Sequence, residues 1–475
     1  MTATLRRIPS PLVALLAAVA IMGFAWALFL PPVQAPDESP HFAYAQSIAE
    51  DLQRPLPEDD ERVDMFSTEQ ELARNHGNPH DGQLLGKPEW SEVERDAWES
   101  EEAAITNADR ADGGGPNPAA GNPPLYYLYE SVPYLVVGGD IFDRMYAMRL
   151  WSVLLLLAGV AGTWLLVGEL TGRNRLLQLS AAAVVGLWPM ATFIASSVNP
   201  DAAVNALWAV ALWLGVRLLR RGWSWPDGLG LTLVTAACVL TKPVGLALLP
   251  PVALVFGLTL YRAARRDPRP PWVLPSAIVT CVLLAGATAV GADRVVSPIS
   301  EGGLAVGDFL NYMWQFYLPW VGFLEPLEGI PQLGVWDIWV KTGWGAFGWL
   351  EVRFPDPVYV VFAVLSVAWL LVGTWALLRG RIRLRPVEWA FFTLAAASLL
   401  LGLHLAEWQA YDERGDLLLQ GRYLFPLLPL AAVWLAAIVA LVPERSRRPA
   451  VATVLAALFA FQLFSLAIVG GRFYA

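Results

Sequence analysis

Long apolar runs alternate along the chain with short basic stretches and longer acidic or aromatic ones. Runs long enough to cross a bilayer, or nearly so, fall at about 11–31, 149–170, 176–197, 201–219, 229–241, 244–261, 272–292, 357–378, 387–407, 423–442 and 449–469. About 20 apolar residues cross the roughly 30 Å of hydrocarbon. The pattern therefore predicts an all-α, polytopic integral membrane protein with about eleven spans. The first run, from Pro11 to about Leu30 behind Arg6 and Arg7, exceeds a signal-peptide core and is expected as a retained helix. The runs on either side of Thr241-Lys242-Pro243 are the shortest, and a re-entrant or broken helix fits there as well as two full spans.

Basic residues then orient the pattern. With the N-terminus inside, the inner segments carry Arg6/Arg7, Arg173/Arg175, Arg217/Arg220/Arg221, Arg262/Arg265/Arg266/Arg269, Arg379/Arg381/Arg383/Arg385 and Arg445/Arg447/Arg448. Every inner segment is basic, as short cytoplasmic loops are. An odd number of spans then puts the C-terminus outside. The expected layout is a first helix (1–31), an outer loop (32–148), helices 2–7 (149–292), a Trp-rich outer segment (293–356) and helices 8–11 (357–475).

The two large outer segments differ in character. Residues 32–148 hold 24 of the 42 acidic residues against seven Lys or Arg. Within them, 58–112 is acidic and poor in periodic apolar positions, which predicts a mobile insertion. Its flanks, 39–52 and 123–138, predict short helices along the membrane surface, with Tyr44, Tyr126, Tyr127 and Tyr134 at the interface. Residues 293–356 contain Trp314, Trp320, Trp336, Trp339, Trp344 and Trp349. Headgroup anchoring is the commoner role for such tryptophans, and sugar stacking the other.

Composition narrows the chemistry. The chain is 56% hydrophobic and 16% charged, with a mean hydropathy of +0.46. Its two cysteines, Cys238 and Cys281, lie in apolar runs and offer neither a disulfide framework nor a thiolate metal site. His76 and His80 are four apart but sit in the acidic insertion, a poor place for a helical metal site. No Walker loop, dinucleotide fingerprint or nucleophile elbow occurs, and nothing points to nucleic acid. Chemistry is expected on the outer face, with a donor that arrives in the membrane.

Acidic and basic residues on that face are the candidates. In Pro36-Asp37-Glu38-Ser39-Pro40-His41-Phe42, Pro40 is expected to open a helix with Ser39 as its cap. Asp37 and Glu38 then lie at the exit of a membrane helix, where a carboxylate can deprotonate a hydroxyl or hold a divalent cation, Mg or Mn. Helix capping accounts for both without chemistry. Asp201, in Asn199-Pro200-Asp201, is a second outer acid with the same two readings. Lys242, Lys341, Arg149 and Arg422 are outer cations, against the charge trend. Burying one costs roughly 2.5–3.5 kcal/mol on insertion scales, so each calls for an acid partner or an anionic ligand such as a lipid phosphate. Arg149 and Arg422 begin the second and tenth spans, where the helix dipole disfavours a cation.

PDESPHF (36–42), NPPLYYL (122–128), MRLWS from Met148, SSVNPD (196–201), LTKPVG (240–245) and QGRYLFPLLP (420–429) resemble a family of bacterial polytopic membrane proteins known as a domain of unknown function. That family in turn resembles the GT-C superfamily of glycosyltransferases. The resemblance spans nearly the whole chain apart from the acidic insertion. It implies a multi-pass protein of the bacterial plasma membrane whose first outer loop bears interfacial helices and a catalytic acid. The implied donor is a polyprenyl-phosphate sugar, and the acceptor an extracytoplasmic glycan, lipid or protein. Asp37 takes the catalytic position with Glu38 beside it. His41, Asp201, Lys242, Arg422 and Arg149 become candidate substrate-binding residues, and any metal would fall to Asp37 and Glu38. The chain departs from the pattern in its long insertion and is expected to lack a folded soluble C-terminal domain.

Three other readings remain open on the sequence. A transporter or flippase of lipid-linked saccharides would use the same spans but needs polar residues along a path. Spans 149–170, 357–378 and 423–442 have few interior charges, Glu169 lying at an end. A polymerase working on longer lipid-linked saccharides is indistinguishable here, and a non-catalytic envelope scaffold would not need Asp37.

Overall fold

The computed structural model describes residues 8–56, 63–77, 92–265, 271–291, 306–318, 334–414 and 420–474. These form a helical bundle with a single two-stranded hairpin, Ala346–Phe347 against Val352–Arg353. Among them, nine segments are long and apolar enough to cross a membrane. The expected span at 176–197 is a bent pair, α8 (Arg175–Leu187) and α9 (Pro189–Ala195), inclined at 59°. Pro189 supplies the reason, since it has no N–H to donate back along the helix.

The expected span at 229–241 is α11 (Trp225–Val239), only 15 residues long. It runs antiparallel to α10 (Asp201–Arg221) and is pinned to it at both ends. Asp227 bonds Arg217 at one end, and Lys242, just beyond α11, bonds Asp201 at the other. Residues 201–217 of a helix rise about 24 Å, so α11 matches its neighbour between those pairs yet falls short of a full crossing. Eleven expected spans thus become nine full ones, one bent and one short.

The centre of the bundle is α7 (Ile141–Thr171) packed on α10, with α1 (Ser10–Phe29) and α8 against α7. Small residues permit the close approach: Gly162 lies over the backbone of Ala209, and Gly159 over that of Ala206. The second span begins at Ile141, eight residues before the expected start. Arg149 therefore lies two turns inside it, and the dipole argument for Arg149 lapses. At the end of the bundle opposite Asp201, Arg220 pairs with Glu388 at 2.7 Å and Arg221 with Glu169 at 2.6 Å. These arginines belong to the segments expected inside.

The first outer segment is more folded than its composition predicts. α2 (Glu38–Asp51) packs on α6 (Leu125–Val136), but the four tyrosines expected at the interface are buried between these helices and their neighbours. Tyr44 stacks on Tyr127 at 3.6 Å, and Tyr134 receives bonds from Gln46 and Arg144. Residues 57–62 and 78–91, including His80, lie outside the described residues. The rest of the insertion contains α3 (Thr68–Gly77), α4 (Glu92–Glu102) and α5 (Asn107–Ala111). Glu69 is buried against Arg110 at 2.9 Å, Gln70 reaches the Ser39 carbonyl at 2.9 Å, and the indole of Trp98 bonds Asp140 at 3.1 Å. Polar contacts to α2 and α7 replace the apolar period that sequence reading looks for.

Among the described residues, Trp339, Trp344 and Trp349 of the second outer segment also make inward contacts. Trp344 stacks on Phe362, Trp339 is buried, and Trp349 bonds the Val33 carbonyl. Trp320 lies outside the described residues. Two of the outer cations are carried by 3-10 turns at the mouths of helices. Lys242 precedes one such turn, Pro243–Leu248, leading into α12 (Leu249–Ala264). Arg422 sits in another, Gly421–Leu427, leading into the helix Leu428–Leu441.

Candidate active site

The link from α1 to α2 sets up the site. Asp37 has φ 61°, a left-handed conformation uncommon for a residue with a side chain. The helix begins one residue later, at Glu38, with Pro40 inside its first turn. Ser39 is therefore not the cap. Asp37 holds that position, but its side chain caps nothing because it turns to Arg422.

Adjacent residues thus face different partners. Glu38 is wholly buried, and Arg149 grips both of its oxygens, Nε to Oε1 at 2.8 Å and Nη2 to Oε2 at 2.5 Å. Oε1 also accepts the backbone N–H of Val198 at 3.1 Å. Arg149 spends its remaining N–H groups on the carbonyls of Ala27, Leu30 and Pro31, at the end of α1. Glu38 and Arg149 fasten the loop to the bundle, and neither side chain is accessible.

Asp37 instead joins Asp201, Lys242 and Arg422 in a ring. Arg422 Nη2 bonds Asp37 Oδ2, Arg422 Nε lies 3.7 Å from Asp201 Oδ2, and Lys242 Nζ is 2.5 Å from Asp201 Oδ1. Four segments far apart in sequence meet there. The Asp37 side chain is 42% exposed, whereas Arg422 is 1% exposed. Burial would raise the Asp37 carboxyl, but Arg422, His41 and Lys242 outweigh it and hold its pKa below the ordinary value. Asp37 is consequently an open carboxylate at neutral pH, while two charges of each sign balance across the ring.

Four supports were not singled out as candidates in the sequence. Tyr423 spreads its ring beneath both cations, 4.9 Å from Lys242 Nζ and 5.1 Å from Arg422 Cζ. Asn199 accepts the Asp201 N–H at 3.0 Å and donates to the Pro36 carbonyl, tying the two acid-bearing loops together. Thr342 accepts the Gly421 N–H at 2.6 Å. A Cβ on Gly421 would overlap the Gly343 backbone, which makes glycine necessary next to Arg422. The motifs QGRY and NPD contained Gly421, Tyr423 and Asn199 but not Thr342, and the contacts that bring all four to the ring are long-range.

His41 faces the ring from α2. Its Nδ1 is 2.9 Å from the Tyr127 hydroxyl, and burial, against the pull of Asp37, lowers its pKa to about 4. It is a neutral hydrogen-bonding group at physiological pH. Lys341 pairs with Asp337 at 2.8 Å and is not part of the ring.

A divalent cation does not fit the pair proposed for it. Asp37 and Glu38 bond different arginines, and Glu38 has both oxygens occupied. Among the described residues no group of three or more His, Cys, Asp or Glu side chains gathers where a metal could be held.

The chain is similar to the crystal structure of ArnT from Cupriavidus metallidurans in the apo state, at 14% identity and a TM-score of 0.46. It is also similar to ArnT from the same organism bound to undecaprenyl phosphate, at 16% and 0.44. Each likeness covers 97% of this chain and 63% of the ArnT chain, so the chain spans less than two thirds of those structures. No curated protein matches it. The segments that meet at the ring, from the end of α1 to the Arg422 turn, all lie within residues 20–431, the part matched by the family described as "Predicted membrane protein (DUF2142)", and the chain belongs to that family.

Proposed function

We propose that this multi-pass membrane protein is a glycosyltransferase. It moves a sugar from a polyprenyl-phosphate-linked donor to a hydroxyl of an extracytoplasmic acceptor. The observation that carries this reading is the ring of Asp37, Asp201, Lys242 and Arg422 at the end of the bundle away from the basic loops. By the positive-inside rule that end is extracytoplasmic. A carboxylate that stays ionised and half-exposed suits a base for the acceptor hydroxyl. Two preorganised cations beside it suit the charge that develops on a lipid phosphate as the sugar leaves. The requirements fall on Asp37 as base, with Lys242 and Arg422 on the phosphate and Asp201 and Tyr423 positioning them. Glu38 and Arg149 drop out of the chemistry.

The reaction balances without a further reactant. The bond between the sugar anomeric carbon and the phosphate oxygen breaks, the acceptor oxygen bonds that carbon, and the acceptor proton passes to Asp37. The test uses purified protein in lipid nanodiscs, wild type beside Asp37→Asn, with a panel of polyprenyl-phosphate sugars. Release of polyprenyl phosphate by wild type is expected to fall about 10²–10⁴-fold in the variant. Binding of lipid-linked saccharides without release by wild type, unchanged by the substitution, would replace this reading with transport or a scaffold.

A further inference from the structure

The Arg422 guanidinium is nearly inaccessible, yet it is underused. Nη2 bonds Asp37 and the Tyr423 hydroxyl, while Nε and Nη1 have no hydrogen-bond partner among the described residues. Asp201 Oδ2, 3.7 Å from Nε, is likewise without one. Buried charged donors rarely go unused, because each lost hydrogen bond is costly. The group holding Arg422 is also the one in the left-handed backbone conformation, and it is the most exposed member of the ring.

We propose that the Asp37–Arg422 contact is a latch that an anionic lipid headgroup opens: the phosphate takes the place of the Asp37 carboxylate on Arg422, and Asp37 is thereby released to act as base. The inference rests on the proposed glycosyl transfer and adds its regulation. Either bidentate approach to the guanidinium, through Nε and Nη2 or through Nη1 and Nη2, needs the nitrogen that Asp37 holds, so Asp37 and a phosphate compete for it. While latched, Asp37 is a weaker base, since the cation stabilises its ionised form. When phosphate displaces it, that stabilisation is lost and Asp37 becomes basic enough to accept the acceptor proton only in the presence of donor. Once protonated it no longer attracts Arg422. The cation is then left wholly to the departing phosphate monoester, which has gained one negative charge. The arrangement ties base activation to donor binding and disfavours activation of water at an empty site.

Competition has a signature that a simple ligand contact lacks. Polyprenyl phosphate, the product without its sugar, is titrated against wild type, Asp37→Asn and Asp37→Asn/Arg422→Gln in nanodiscs. The polyprenol of equal length is the uncharged control. Asparagine tolerates the left-handed backbone, and thermal unfolding checks that each variant folds. The latch requires Asp37→Asn to bind polyprenyl phosphate more tightly than wild type, by about tenfold for one charge-assisted contact regained. The gain should vanish when Arg422 is also replaced and be absent for polyprenol. Equal or weaker binding by Asp37→Asn overturns the latch, even if wild type turns over donor. Tighter binding, with no turnover of any donor by wild type, keeps the latch as an anion-gated contact and rejects the transfer chemistry.

Discussion

Arg149 and Arg422 each meet one of two adjacent carboxylates, and the two regions they define are built to opposite ends. Around Arg149 every nitrogen is engaged, on Glu38 and three backbone carbonyls, and both side chains of the pair are inaccessible. Around Arg422 one nitrogen bonds its carboxylate, two have no hydrogen-bond partner among the described residues, and that carboxylate is partly exposed. A saturated, dry pair adds rigidity and leaves nothing for a ligand. An underused pair at an open end keeps capacity for one. The difference decides which of two neighbouring acids can do chemistry, although both lie in the same motif.

The comparison can be broken most decisively at Arg149. Arg149→Ala leaves Glu38 buried without its cation, with only the Val198 N–H beside it, and should cost about 3–5 kcal/mol, seen as a large drop in thermal unfolding temperature in nanodiscs. A variant that melts like wild type would show the saturated pair to be dispensable.

Glu130 is an intermediate case. Ser152 donates to its Oε1 at 2.6 Å, its Oε2 has no hydrogen-bond partner among the described residues, and burial raises its pKa to about 8. A raised pKa means stability fully present below the ordinary value of 4.5 and lost as pH rises through about 8. Wild type should thus lose up to a few kcal/mol across that window, and unfolding of Glu130→Gln followed against pH should not show the loss.

At the open pair, Arg422→Ala should cost less stability than Arg149→Ala, because Asp37 is partly exposed and Asp201 keeps Lys242. Polyprenyl phosphate binding should instead weaken by at least about tenfold. A stability loss as large as that of Arg149→Ala would erase the distinction between the regions.

The smallest effect is expected for a satisfied acid outside the core. Asp140 caps α7 at 2.9 Å to the Asp143 N–H and holds Trp98. Asp140→Ala should cost about 1 kcal/mol, measured by unfolding, and should leave lipid binding unchanged.

Much of this protein was legible in its sequence because the relevant signals are local sums. A membrane span depends on some 20 consecutive residues being apolar, and the balance of arginine between loops needs no three-dimensional information. The bend at Pro189 follows from a missing N–H and was readable in principle. The motifs of the ring were readable too, with Asp37, Asp201, Lys242 and Arg422 all among the candidates. Which acid stands open was not readable. Asp37 and Glu38 differ by one position, and their partners lie 385 and 111 residues away. The buried tyrosines and the folded insertion were hidden for the same reason, since their burial comes from α2, α6 and α7 meeting. The sequence by itself determined the spans, the charged ends and the list of chemical groups. Only the tertiary structure decided which charges are satisfied and which are not, because satisfaction is a property of hydrogen-bond geometry between distant segments.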